Sequence, residues 1–185
     1  MSDPLLALKD ICKSFPGVRV LADLDFTLER GEVHSLCGEN GAGKSTLIKI
    51  LAGVHNADSG SVLIDGAAQT IGHPSRAKQL GISTIYQENS LFQHRSILEN
   101  IFAGQEYRKH GFLYDRAAMH RKTEEMLAMF ELDLSPNQLA SSLGAAKQKI
   151  IEIIRALIMD AKLLILDEPT ASFGEAETRL LFSVL

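Results

Sequence analysis

The stretch Gly38-Glu39-Asn40-Gly41-Ala42-Gly43-Lys44-Ser45-Thr46 decides the fold, because it fits the pattern G-x-x-x-x-G-K-[ST] and stands between two segments of different periodicity. Ahead of it, Val33-His34-Ser35-Leu36-Cys37 reads as a short buried strand; behind it, Ser45 to Ala52 reads as a helix with an apolar face. A glycine-rich turn between a strand and a helix is built to cradle phosphates. The glycines let the backbone wrap closely around an anion, successive N–H groups and the helix N-terminus point at it, and Lys44 adds a mobile positive charge. Ser45 is then placed to ligate Mg²⁺. A strand and a helix flanking the motif set it apart from a glycine-rich turn that fits by accident.

Composition narrows the class. The 185 residues suffice for one domain of generous size, with ordinary globular fractions of apolar (45%) and charged (23%) residues. A net charge of −4, from 19 Lys+Arg against 23 Asp+Glu, argues against a broad basic surface, so no nucleic-acid partner is expected. The two cysteines, Cys12 and Cys37, have neither C-x-x-C nor metal-ligand spacing and read as small buried apolar residues in a reducing compartment. Met1-Ser2-Asp3-Pro4 lacks the basic start of a secretory signal, and no apolar run approaches the roughly 20 residues that span a bilayer. The chain is expected to be soluble and to meet a membrane only through a partner.

Along the chain, Leu5-Leu6-Ala7-Leu8 and the alternating Leu24, Phe26, Leu28 read as strands, with Arg30-Gly31-Glu32 as the turn into the phosphate-loop strand. Val62-Leu63-Ile64 is a further strand between turns at Asp58-Ser59-Gly60 and Asp65-Gly66, Ser75 to Leu80 a short helix, and Ile82 to Tyr86 a second buried strand. From Gln87 to about Met159 no strand is expected, and helical patterns take over. Ser96-Ile97-Leu98-Glu99 fits a capping box. Ala117 to Phe130 carries Met119, Met126, Leu127, Met129 and Phe130 as core positions, and Lys147 to Met159 has a wide apolar face of isoleucines and leucine. Leu163 to Leu166 returns to β structure, and Gly174 to Leu185 starts another helix. The expected organisation is a core formed by residues 1–86 and 160–185 and a helical subdomain over 87–159.

The run Leu163 to Leu166 ends in Asp167-Glu168. A lone Asp-Glu at a strand end is a common acidic turn, but beside an independent phosphate loop it reads as the second half of an ATP site. Asp167 would hold Mg²⁺, directly or through water, and Glu168 would polarise the water that attacks the γ-phosphate.

Together, the loop 38–46, the strand ending in Asp167-Glu168 and the Pro169-Thr170 that follows resemble the ATP-binding cassette (ABC) family over residues 5 to 185. Lys13-Ser14-Phe15-Pro16-Gly17-Val18, Tyr86-Gln87-Glu88 and Asp167-Glu168-Pro169-Thr170-Ala171-Ser172 are similar to the first of the two cassettes in bacterial ATPases for ribose, galactose, xylose and autoinducer-2 uptake. The resemblance implies an α/β P-loop fold of the RecA-like type, with a β-rich N-terminal part and an inserted helical subdomain. It implies ATP and Mg²⁺ as ligands, Phe15 stacked on adenine, and Gln87 touching both Mg²⁺ and the attacking water. It further implies membrane permease subunits as partners, a second cassette, a periplasmic sugar-binding protein met indirectly, and a place on the cytoplasmic face of the membrane.

Two departures matter. The family's Leu-Ser-Gly-Gly-Gln signature falls on Leu143-Gly144-Ala145-Ala146-Lys147, without the serine hydroxyl. Its switch histidine would lie beyond Leu185, none of the histidines at 34, 55, 73, 94, 110 and 120 can replace it, and Gly174 takes the place of the D-loop carboxylate. The sequence therefore reads as a fragment of a longer ATPase. Two further readings stay open: a soluble, non-transport ABC ATPase, and a nucleotide-binding remnant without turnover.

Overall fold

A computed structural model describes residues 3–39, 41–109, 111, 113–168 and 173–184. In chain order its elements are β1 (Leu6–Phe15), β2 (Val18–Leu28), α1 (Lys44–Leu51), β3 (Ser59–Ile64), β4 (Ala67–Gln69), α2 (Pro74–Gln79), β5 (Ile82–Ile85) and α3 (Ile97–Ile101). They continue with β6 (Arg108–Lys109), β7 (Leu113–Tyr114), α4 (Arg116–Met129), a 3-10 turn (Ala140–Ser142), α5 (Ala145–Ile158), β8 (Leu163–Leu166) and α6 (Glu175–Val184). The elements form two units, residues 1–84 with 161–167 and residues 85–160 with 168–185. Among the described residues no helix is long and apolar enough to cross a membrane.

In the first unit, alternation of apolar and polar residues drives an antiparallel sheet of order β2-β1-β3-β4. Leu6 faces Leu28 at one end of the β1–β2 hairpin and Phe15 faces Val18 at the other. β3 returns into β4 through Asp65-Gly66, whose φ values of 51° and 74° suit the two-residue turn that matches strand twist. α1 lays Leu47, Ile50 and Leu51 into a core with Leu6, Leu8, Ile11, Leu21 and Ile64, and Leu163 and Ile165 of β8 pack against it. Each such side chain, fully buried, contributes about 1.5–3 kcal/mol. β8 pairs with β5 in a separate two-stranded sheet.

In the second unit, Ser96 caps α3 in both directions: its Oγ accepts from the Glu99 N–H while the Glu99 carboxylate accepts from the Ser96 N–H. Asn100, fully buried, donates to the carbonyls of Phe92, Arg95 and Ser96 and accepts from the Phe92 N–H, pinning the loop ahead of α3. α3 packs on α4 and α5, and the middle of α5 is buried on every side, from Lys149 to Ile154.

Four expectations are corrected. Residues 33–37 form no strand: Val33 is 59% and Leu36 42% exposed, and this stretch belongs to none of the described sheets. An apolar run becomes a strand only where a neighbour accepts its backbone hydrogen bonds, and among the described strands none pairs with this stretch. Here the local hold is by side chains, His34 Nδ1 to Glu32 at 2.9 Å and the His34 ring edge-on to Phe26. Cys37 is consequently exposed, and Cys12 half-buried, rather than both being core. Met129 is 50% exposed, because one position before the buried Phe130 it is turned about 100° round α4 from the core face. The stretch 87–159 does contain strand, the pair β6–β7 joined by Arg108↔Tyr114 and Lys109↔Leu113.

Asp58 fastens the far end of β1. One carboxylate oxygen accepts from Lys13 Nζ at 2.6 Å and the other from the Ser14 N–H at 2.6 Å. The Lys13 bond first, and then the Ser14 N–H, hold its carboxyl below the usual aspartate range. The carboxylate is favoured in the folded state, so this stabilisation is present above the unfolded-state value and disappears as pH falls through the lower, folded one. Denaturant midpoints should show Asp58→Asn less stable than the parent chain at pH 7, with the difference shrinking by about pH 3; a constant difference across that range would contradict the assignment.

Candidate functional site

Two helices, α1 and α5, begin on a glycine with no capping side chain and no acidic residue in the first turn, and of the two α1 alone has a lysine, Lys44, folded back over the loop ahead of it. The N–H groups of a first helical turn have no partner within the helix and take one from a capping side chain, from water or from a ligand. His73 caps α2 by accepting from the Ser75 N–H, Ser96 caps α3, and Asp115 caps α4 by accepting from the Ala118 N–H. α1 begins on Gly43, which has no side chain to offer, and its first turn holds no acidic residue. The positive end of α1 is thus left to an anion from outside the helix.

Close packing dictates the glycine. Gly43 sits at φ 89° with its Cα against β2, where a Cβ would lie 2.6 Å from Leu21 Cδ2 and 3.0 Å from the Val20 carbonyl oxygen. Gly41 has the same φ of 89° but open space around it. The loop closes on itself through the Ala42 N–H to the Glu39 carbonyl at 3.1 Å. Lys44 reaches back over it, its Nζ donating to the carbonyls of Gly38 at 2.5 Å and Glu39 at 2.9 Å. A cation, backbone N–H groups and a helix start therefore converge on one loop, the donor set that phosphate oxygens require.

The remaining expected site residues fall in both units. In the first, Ser45 is exposed, Thr46 half-buried, and Asp167 half-buried at the end of β8. Phe15, at the end of β1, is 36% exposed; its ring meets His55 edge to face at 5.4 Å between centroids, and Lys13 Nζ lies 5.6 Å from its centre. Gln87 and Glu168, both exposed, belong to the second unit, and Glu168, two residues past the last residue of β8, adopts a φ of 49°. Asn40 and the segment Pro169-Thr170-Ala171-Ser172 lie outside the described residues, as does His110. The oxygen donors Ser45 and Asp167 suit a small hard cation that keeps few protein ligands and shares phosphate oxygens. Among the described residues no group of three or more His, Cys, Asp or Glu side chains forms a metal cage.

One polar cluster was not anticipated from the residues. On α5, Lys149 and Glu152 are paired at 2.8 Å with side chains only 8% and 2% exposed. Lys149 Nζ also donates to the carbonyl of Tyr86 at 2.6 Å, and Glu152 accepts from both the N–H and the hydroxyl of Ser90. Arg155 donates to the Ser90 hydroxyl; burial pulls its guanidinium below its usual value, against the attraction of Glu152. The available signal was a charged pair three residues apart inside a run of isoleucines. At the start of α5, Gly144 is an extended N-cap without a capping side chain, so Leu143 to Lys147 form a plain helix start.

Comparison with known proteins agrees with this architecture. The profile of the ABC transporter family matches residues 21–171. Over 184 residues, all of this chain, the sequence is 48% identical to the ribose import ATP-binding protein RbsA 1 of Streptomyces coelicolor, and over 182 residues, 98% of the chain, it is 46% identical to the protein of that name from Rubrobacter xylanophilus. The chain spans 36% of the length of either relative. Among solved structures, an ATP-binding cassette of an ABC transporter in its ADP conformation superposes with a TM-score of 0.83 at 26% identity, covering 97% of this chain and 74% of that one.

The contrast between the two glycines is testable by chemical denaturation. Gly43→Ala combines a positive φ with overpacking against β2 and should cost roughly 2–4 kcal/mol. Gly41→Ala carries the backbone term alone, about 1 kcal/mol. Equal losses would mean that the contact of Gly43 with Val20 and Leu21 does not constrain the loop.

Proposed function

The chain belongs to the ABC transporter family, and from that premise we propose that it binds ATP on the loop 38–46 and forms part of the ATPase that drives import of ribose, galactose or a related monosaccharide. The observation that carries the proposal is the uncapped start of α1 with Lys44 folded over the loop. The import reading rests on the two relatives' names, ribose import ATP-binding proteins at 46–48% identity.

In this reading the residues divide the work. Lys44 exchanges its carbonyl contacts for phosphate oxygens, while the N–H groups from Gly41 to Thr46 surround the phosphates. Gly38, Glu39 and Ala42 belong to the same phosphate-contacting loop, and Asn40 is assigned to it by its place in the motif. Phe15 offers adenine the ring face opposite Lys13, whose ammonium lies over the ring, while His55 packs against the ring at right angles. Ser45, Gln87 and Asp167 would hold Mg²⁺, which when bound neutralises phosphate charge and orients the γ-phosphate. Glu168 accepts a proton from the attacking water, which Gln87 helps to orient. A second cassette completes the charge stabilisation around the γ-phosphate. The core assigned to this work is residues 1–86 with 160–185, and residues 87–159 form the helical subdomain. That subdomain carries a cavity of about 530 Å³ lined by Phe92, Leu98, Phe102 and Met119 and by the charged Arg95, Glu99, Glu106 and Arg116, a seat of mixed apolar and charged lining that we assign to a permease segment at the cytoplasmic face of the membrane. A sugar-binding protein across the membrane would act only through that permease.

Calorimetric titration separates the roles. Lys44→Ala should abolish measurable ATP binding, and an unchanged affinity would refute the site. Phe15→Ala should weaken ATP by about 1–2 kcal/mol and leave inorganic phosphate unaffected; equal losses for both would make the ring structural. In the longer protein, Glu168→Gln should keep Mg·ATP and lose turnover, because an amide preserves shape but takes no proton. Collapse of ATP affinity with turnover retained would reverse the roles of Asp167 and Glu168.

A further inference from the structure

The segment carrying Gln87 is exposed from Tyr86 to Ser90, yet its backbone is gripped from one side by buried charge. Lys149 Nζ donates to the carbonyl oxygens of Tyr86 at 2.6 Å and Gln87 at 3.3 Å, and to Glu152 Oε2 at 2.8 Å. The other oxygen of Glu152 accepts from the Ser90 N–H at 2.5 Å and the Ser90 hydroxyl at 2.6 Å. Asn89 bonds to Gln148, whose amide in turn donates to the carbonyls of Ala140 and Leu143, both at 2.9 Å. One turn of α5 therefore fixes the backbone at 86, 87 and 90 and the approach to its own N-terminus.

A hydrophobic helix would cover this segment without any charge, and a buried ion pair is weak evidence for stability as such. The pair does something apolar residues cannot: it specifies where two carbonyls and one N–H sit, and removing either charge strands the other. We infer that Lys149 and Glu152 are positioning residues for Gln87, holding its backbone so that its side chain meets Mg²⁺ in one geometry. This rests on the reading of Gln87 as a Mg²⁺ contact. Outer partners of this kind orient the groups that touch a metal, and their loss costs about 10–100-fold in metal affinity.

The test uses the 185-residue chain and the variants Gln87→Ala and Lys149→Met/Glu152→Gln, the double change removing the pair together and leaving Arg155 as the charge beside Ser90. ATP affinity is measured with EDTA and then across a Mg²⁺ titration, alongside the melting temperature and hydrogen exchange at the Ser90 amide. In the expected result the double variant binds ATP without metal as the parent does and melts close to it. Its apparent Mg²⁺ affinity falls about tenfold, as in Gln87→Ala, and the Ser90 amide exchanges faster. Lys149→Arg, which keeps charge and donors, should recover part of the loss. An unchanged Mg²⁺ response in the double variant overturns the inference while leaving the ATP site intact. Failure of the parent chain to bind ATP overturns the nucleotide reading itself. Should the double variant not fold, Lys149→Met alone removes the donor to the Tyr86 and Gln87 carbonyls, and a folded Lys149→Met with an unchanged Mg²⁺ response overturns the inference equally.

Discussion

The start of α1 can remain open to an anion because the backbone of Gly43 is pressed against β2, and much of the first unit serves that one contact. Leu21, which a Cβ at position 43 would strike, is 5% exposed and belongs to the same core as Leu47, Ile50 and Leu51 of α1. The β1–β2 hairpin therefore supplies the wall of the core and the surface that admits no side chain at the helix start. A serine or aspartate there could supply the cap that α3 and α4 possess, but the wall excludes its Cβ. The first-turn N–H groups are left unclaimed by protein side chains as a consequence of packing, and the openness of this helix start to an anion follows from the core.

Where sequence and structure agree, the signal was local and covalently close. The capping box Ser96–Glu99, the hairpin turn Asp65-Gly66 and the run of isoleucines in α5 each specify their conformation within a few residues. The motif 38–46 is of the same kind, since its glycines and lysine act within one turn of chain. The segment 33–37 failed because a strand is a statement about a neighbour, and nothing in Val33-His34-Ser35-Leu36-Cys37 names one. Met129 failed for a gentler reason, a helix face drawn slightly too wide, and β6–β7 because two residue pairs are too few for periodicity to register. Gln87 was chosen by resemblance alone, and Glu168 by its place after an apolar run in a chain that also carries a phosphate loop. Their exposure and the left-handed φ of Glu168 are properties of single residues, whereas a catalytic arrangement is a property of distances between them.

Two lysines of this chain do the same elementary thing, donating to a pair of backbone carbonyls, and differ entirely in what that permits. Lys44 is half-buried over an exposed loop, with the carbonyls of Gly38 and Glu39 as partners. Exchanging those neutral acceptors for phosphate oxygens leaves no charge behind and gains a charge-assisted bond, so its side chain is free to change partner. Lys149 is 7% exposed, with the carbonyls of Tyr86 and Gln87 on one side and the carboxylate of Glu152 on the other. Its departure would leave a buried carboxylate without a counter-charge, a loss of several kcal/mol for such pairs. The first lysine is fitted to meet a ligand and the second to hold a position. The motif marks Lys44 in the sequence, while burial and a carboxylate partner mark Lys149 in the structure.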